Sequence, residues 1–130
     1  MNKDSEIERS VETYFNSIQT MDALRWQALF AEDGVTYDPV GNPPTLARAK
    51  AEDFFRLLST AFESQTIELG PILTVKNTAA AVQWTMDVVG KNGRQGKAEG
   101  ISTFEFDDAG KITIVRAYWD DAALMAQIRG

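Results

Sequence analysis

From Gln65 onward the hydrophobic period of this chain changes to two, and that change limits what it can fold into. Before it, apolar residues recur mainly at helical spacing; after it, most alternate at the spacing of a half-buried strand. Ser5 with Glu8 forms a capping-box pattern, and Ile7, Val11, Tyr14, Phe15, Ile18 and Met21 follow on one stripe, predicting a helix over residues 5–20. A second helix is expected from Asp22 to Ala31, with Leu24, Ala28 and Leu29 inward and Gly34 as its stop. Val35 to Val40 reads as a short strand ending at Pro39, and Gly41-Asn42-Pro43-Pro44 as a loop. Helical spacing returns over 45–62 through Leu46, Phe54, Leu57, Leu58 and Phe62.

Beyond the change, Thr66–Leu73 is a candidate strand interrupted by Gly70-Pro71. Ala80, Val82, Trp84, Met86 and Val88 alternate cleanly as a longer one. Asn92-Gly93 marks a hairpin turn, Ala98–Phe106 alternates again, and Asp107–Gly110 turns the chain into a last strand, Ile112–Trp119. Asp120 is placed to cap a short final helix through Ile128. Helices gathered ahead of an antiparallel sheet predict an α+β fold, and a length of 130 residues fits one domain spanning 1–130. A curved sheet with helices across one face encloses an apolar pocket.

Composition narrows the chemistry. Thirteen basic against nineteen acidic residues leave a net charge of −6, which repels phosphate backbones, so no nucleic-acid partner is expected. The chain has no Cys and no His: no thiolate nucleophile, no imidazole base and no thiolate or imidazole metal ligand. Acid–base work falls to Asp, Glu, Lys or Tyr. Asp107-Asp108 reads as a turn rather than a metal site, and no phosphate-cradling glycine loop is present, so neither metal nor cofactor is expected. The polar start of the chain and the shortness of its apolar runs point to a soluble, cytoplasmic protein with no membrane partner.

Two residues stand out. Tyr14 shares the buried stripe of the first helix, so its hydroxyl either reaches a backbone carbonyl or donates into a pocket. Asp38, before Pro39 and Gly41, is either an Asx-type turn residue or a pocket carboxylate whose desolvation makes it a usable base. Parity places Ser102 with Gly100, Phe104 and Phe106 on one face, and Lys97, Glu99, Thr103 and Glu105 on the other. In the last strand Val115, Ala117 and Trp119 share one face, while Ile112, Ile114 and Tyr118 share the opposite one. A strand apolar on both faces needs two covers, which predicts a homodimer through the outer sheet face. Trp84 and Met86 read as core packing or as pocket wall.

Tyr14, Ala31-Glu32-Asp33, Asp38 to Pro44, Phe54 and the hairpin Phe104 to Lys111 together resemble the ketosteroid isomerase family, in the nuclear transport factor 2-like superfamily that also holds SnoaL-like polyketide cyclases. The resemblance implies a cone-like, curved, mixed sheet with the N-terminal helices on its concave face, and a small apolar ligand as partner. It implies that Asp38 shuttles a proton between two carbons of an unsaturated ketone while Tyr14 donates to the enolate oxygen, and that Trp119 stands near the substrate. Phe54, Phe55, Phe104, Trp84, Met86 and Ser102 complete the candidate ligand site. Ser102 occupies the place of the family's second oxyanion acid, and a hydroxyl is a weaker donor than a neutral carboxylic acid; one such donor is worth about 2.7–4 kcal/mol. Phe55 stands where several relatives carry a Tyr beside the oxyanion tyrosine. Three readings follow: an isomerase-type enzyme, a pocket that binds without turnover, and an interaction scaffold presenting Ile112, Ile114 and Tyr118.

Overall fold

The computed structural model describes residues 3–129. Helix α1 (Lys3–Gln19) buries the predicted stripe of Ile7, Val11, Tyr14, Phe15 and Ile18. It begins ahead of Ser5, which therefore sits in the first turn instead of at the cap. Met21 lies past its end in a left-handed conformation (φ 61°), with Asp22 N–H donating to Ser17 C=O (2.8 Å) and Met21 N–H to Ile18 C=O (3.2 Å). That pair of bonds closes a helix end, and it carries Met21 out of the buried stripe. Gln65 fastens α1 to the sheet by donating to Ile18 C=O (3.0 Å), and Gln19 Oε1 accepts from Ile67 N–H (2.8 Å).

The second helix is shorter than its spacing suggests. Asp22 caps it by accepting from Arg25 N–H (3.1 Å), but α2 covers only Ala23–Gln27. Leu24 is 78% exposed and Ala28 is exposed too, while Trp26 turns inward and is buried. The chain is already a strand at Phe30, and Gly34 lies inside β1 (Phe30–Tyr37) instead of stopping a helix. The cause is a partner some eighty residues away: β1 pairs in parallel with β6 (Ile112–Tyr118), and a register irregularity falls between Phe30 and Val35. A Cβ at position 34 would stand 2.8 Å from the Ile112 carbonyl oxygen, so this approach requires glycine.

Residues 45–62 also divide. Thr45–Leu46 forms β2 against β1, and helix α3 covers only Ala51–Ala61, which leaves Leu46 and Leu57 exposed. Phe62 opens β3 (Phe62–Val75). Gly70-Pro71 bulges this strand without breaking it, the register shifting between Leu69 and Ile72 where proline has no N–H to give the ladder. β4 (Ala79–Gly90), β5 (Gln95–Phe106) and β6 continue as antiparallel neighbours, giving one six-stranded, curved, unclosed sheet in the order β2-β1-β6-β5-β4-β3.

The alternation in β4 and β5 places Ala80, Val82, Trp84, Met86 and Val88, with Ser102, Phe104 and Phe106, on the buried face toward the helices. Ile112 departs from its expected place. The register slips between Glu105 and Phe106, which inserts an extra residue opposite the strand end and turns Ile112 into the core, where it is fully buried. Asp120 accepts from Ala123 N–H (3.0 Å) and starts α4 (Asp121–Arg129), which docks on β5 through Leu124 and Ile128. Among the described residues no helix is long and apolar enough to cross a membrane.

Candidate functional site

Helices α1 and α3 lie over the sheet, and between them is a cavity of about 70 Å³. Its walls come from distant stretches: Tyr14 from α1, Asp38 from the end of β1, Phe54 from α3, Trp84 and Met86 from β4, Ser102 from β5, and Trp119 just past β6. Seven of the nine residues singled out in the sequence thus meet at one wall. Phe55 and Phe104 do not. Phe55 packs behind the wall on Trp26 (5.6 Å between ring centres), and Phe104 is fully buried edge-on against the Tyr14 ring (5.1 Å). Both are second from the cavity because Tyr14 and Phe54 stand in front of them.

Three residues, Asp38, Tyr14 and Ser102, bring oxygen atoms to a largely apolar lining, and two of them, Asp38 and Ser102, are held by indole N–H donors. Asp38 Oδ1 accepts from the Trp119 indole N–H at 2.7 Å, and no Asx-type bond to its own turn is formed. Burial raises the Asp38 pKa, the Trp119 donor works against that rise, and the negative charge of Asp121 adds to it. The result is a carboxylate with more proton affinity than an exposed aspartate. Burial also pushes the Tyr14 phenol well above its ordinary range, Asp38 pushes it further, and the indole of Trp26 acts in the opposite direction. Tyr14 therefore stays protonated, a donor beside a proton acceptor.

Ser102 is the third group. Its Oγ accepts from the Trp84 indole N–H at 3.0 Å, a bond that uses an oxygen lone pair and not the hydroxyl hydrogen. Gly100 makes room for this arrangement. A Cβ there would stand 2.6 Å from the Trp84 ring and 2.8 Å from the Trp119 Cβ, so only glycine lets the two indoles meet edge to face (5.7 Å) over the strand.

The sequence reading passed over several wall residues. Phe15, Ile18, Leu58, Phe62, Ile67 and Ala117 also border the cavity. All carried an apolar-periodicity signal, but periodicity marks burial and does not separate the wall of a cavity from solid core. Trp26, which acts on Tyr14 from behind, was missed because the register of α2 was assigned through Leu24. Its spacing to Phe30, four residues on, was the available signal.

Among the described residues no group of three or more His, Cys, Asp or Glu is arranged to hold a metal ion. The cavity wall thus carries one carboxyl group and two hydroxyl groups. Steroid Delta-isomerase of Nocardioides simplex is 29% identical over 116 residues, 88% of this chain and 90% of that protein. The structure of a Δ5-3-ketosteroid isomerase from a Mycobacterium species superposes with a TM-score of 0.73 at 25% identity, over 90% of this chain and 95% of the other. SalBIII, an epoxide hydrolase/cyclase-like enzyme of pyran ring formation in the polyether salinomycin, shares the fold with a TM-score of 0.81 at 24% identity, over 95% of this chain and 97% of its own. The SnoaL-like domain family matches residues 11–115, and the chain belongs to that family, within the nuclear transport factor 2-like superfamily.

Proposed function

We propose that this protein is an isomerase of the ketosteroid isomerase type, acting on a small apolar ketone with a double bond one carbon removed from conjugation. The observation that carries this reading is the placement of a proton acceptor, Asp38, and a phenol donor, Tyr14, on one apolar wall. Asp38 takes a proton from the carbon between the carbonyl and the double bond, and the electron pair spreads into a dienolate whose charge rests on oxygen. Tyr14 and Ser102 donate hydrogen bonds to that oxygen. The protonated Asp38 then returns the proton to the far carbon, giving the conjugated ketone with no change in composition or oxidation state.

The size of the cavity bears on the guest. Ligand pockets commonly hold roughly 300–1,000 Å³, far more than the space here, so a steroid enters only as Phe54 and Leu58, which are partly buried, swing aside. A monocyclic enone needs less of that movement. The test is turnover of a β,γ-unsaturated ketosteroid and of smaller β,γ-enones, followed by the absorbance of the conjugated product, with titration by phenols of graded acidity as enolate mimics. The expected result is turnover together with tighter binding of the more acidic phenols. Absence of turnover with binding indifferent to phenol acidity would replace this reading with the passive ligand-binding pocket that Ser102, in place of a second acid, otherwise favours.

The homodimer belongs to the same proposal. Leu73 and Val75 on β3, Ile101 on β5 and Tyr118 on β6 are each between 48% and 67% exposed on the outer sheet face, where a second copy would cover them. Sedimentation at micromolar concentration is expected to give twice the chain mass, and a strict monomer would remove the dimer from the proposal.

A further inference from the structure

The indole N–H of Trp26 is an anomaly. Trp26 is 2% exposed, and its Nε1 is buried with no hydrogen-bond partner among the described residues. A buried donor left without an acceptor loses its hydration and gains nothing in return. Such groups are uncommon in folded proteins and need a reason. Four rings surround this indole: Phe30 (4.6 Å between centres), Phe54 (5.1 Å), Phe55 (5.6 Å) and Tyr14 (5.9 Å). Three of them are hydrocarbon. Only Tyr14 carries an oxygen that can accept, and the Trp26 side chain faces it closely enough to favour its negative form.

We propose that Trp26 is the positioning residue for Tyr14: its indole N–H donates to the phenol oxygen when that phenol donates its own proton toward the oxygen of a bound ligand. This rests on the role given to Tyr14 above. The Trp26 and Tyr14 rings lie 5.9 Å apart between centres, and the indole N–H closes no bond of good geometry to the phenol. A ligand oxygen that draws the phenol proton forward turns a lone pair of the phenol back toward the indole. Charge building on the ligand then passes partly to the phenol oxygen, where the indole dipole stabilises it, because hydrogen bonds in series strengthen one another. The contribution appears only once the ligand oxygen carries charge, so it raises turnover without tightening ground-state binding. The sequence explains why an indole is needed: Phe30 and Phe55, which also border this ring cluster, bring no hydroxyl of their own.

The experiment replaces Trp26 with 3-benzothienylalanine, which keeps the bicyclic shape and exchanges the N–H for sulfur, alone and in combination with Tyr14→Phe. Trp26→Phe serves as a second variant, and thermal unfolding of each shows that the fold is kept. The probes are a β,γ-unsaturated ketosteroid for kcat and KM, and the phenol series for affinity against acidity. The isostere is expected to lower kcat by about three- to tenfold with KM unchanged, to flatten the gain in affinity with phenol acidity, and to cause no further loss in the Tyr14→Phe background. Wild-type kinetics in the isostere, with Tyr14→Phe strongly impaired, would overturn the role of Trp26 and leave the proposed function standing. Full activity in Tyr14→Phe would overturn both. An equal loss from the isostere in both backgrounds would show that Trp26 acts on packing and not through the phenol.

Discussion

Asp38→Asn is expected to lower kcat on an unsaturated ketone by on the order of 10³-fold, the usual worth of a positioned general base. The substitution is nearly isosteric, and the amide oxygen still accepts from the Trp119 indole, so the wall of the cavity keeps its shape. What disappears is the one carboxylate among the described residues that line the cavity. The pH profile carries the same argument. Burial holds the Asp38 pKa above its ordinary 3.8, so wild-type activity should rise through an acid limb displaced to higher pH, and the variant's residual rate should lack that limb.

Stability should move the other way. A carboxyl whose folded pKa is raised binds its proton more tightly in the folded chain than in the unfolded one. Its stabilising contribution is complete below the unfolded pKa and is lost as the pH rises through the higher folded value. Above the raised folded value the ionised Asp38 is therefore a burden on the fold, and Asp38→Asn should there unfold at a higher temperature than wild type. Below the ordinary aspartate range the two should converge. Calorimetry in both pH ranges checks the sign, and a variant less stable than wild type above the raised folded value would contradict the desolvation argument.

Tyr14→Phe is expected to cost about 10²–10³-fold in kcat, the loss that follows removal of one donor from an oxyanion site. KM should change little, because a neutral ketone oxygen gains less from the phenol than an enolate does. The ring itself is held by ring contacts with Phe15, Phe104, Phe30 and Trp26, so thermal unfolding should stay near wild type. Affinity for acidic phenols should fall further than affinity for weakly acidic ones. A uniform loss across the phenol series would place Tyr14 among the packing residues instead.

Much of this was legible in the chain. The helical stripe of α1 is a local pattern, and Tyr14 sits on it whatever the rest of the molecule does. The alternation of β4 likewise put Trp84 and Met86 inward, because side chains on a strand can face only two ways. An Asx-type turn and a pocket carboxylate were both open for Asp38, and a single distant indole, Trp119, holds its carboxyl group at the cavity wall. Residues 22–31 and 45–62 read as longer helices than they are. There the local spacing was right for a helix but β1, β2 and β6 competed for the same backbone, and backbone pairing outweighs propensities of a few tenths of a kcal/mol per residue.

The sequence by itself determined which segments bury an apolar face, where the hairpins turn, and that acid–base work in a chain without histidine or cysteine falls to Asp, Glu, Lys or Tyr. Those are properties of near neighbours, and near neighbours are written consecutively. Only the tertiary structure decided that Ile112 turns inward, that Phe55 and Phe104 stand behind the wall, and that the Trp26 indole faces Tyr14. Each of these depends on a one-residue slip in a ladder or on the order in which rings stack. A slip of one residue reverses a face without altering the periodicity that a linear sequence displays.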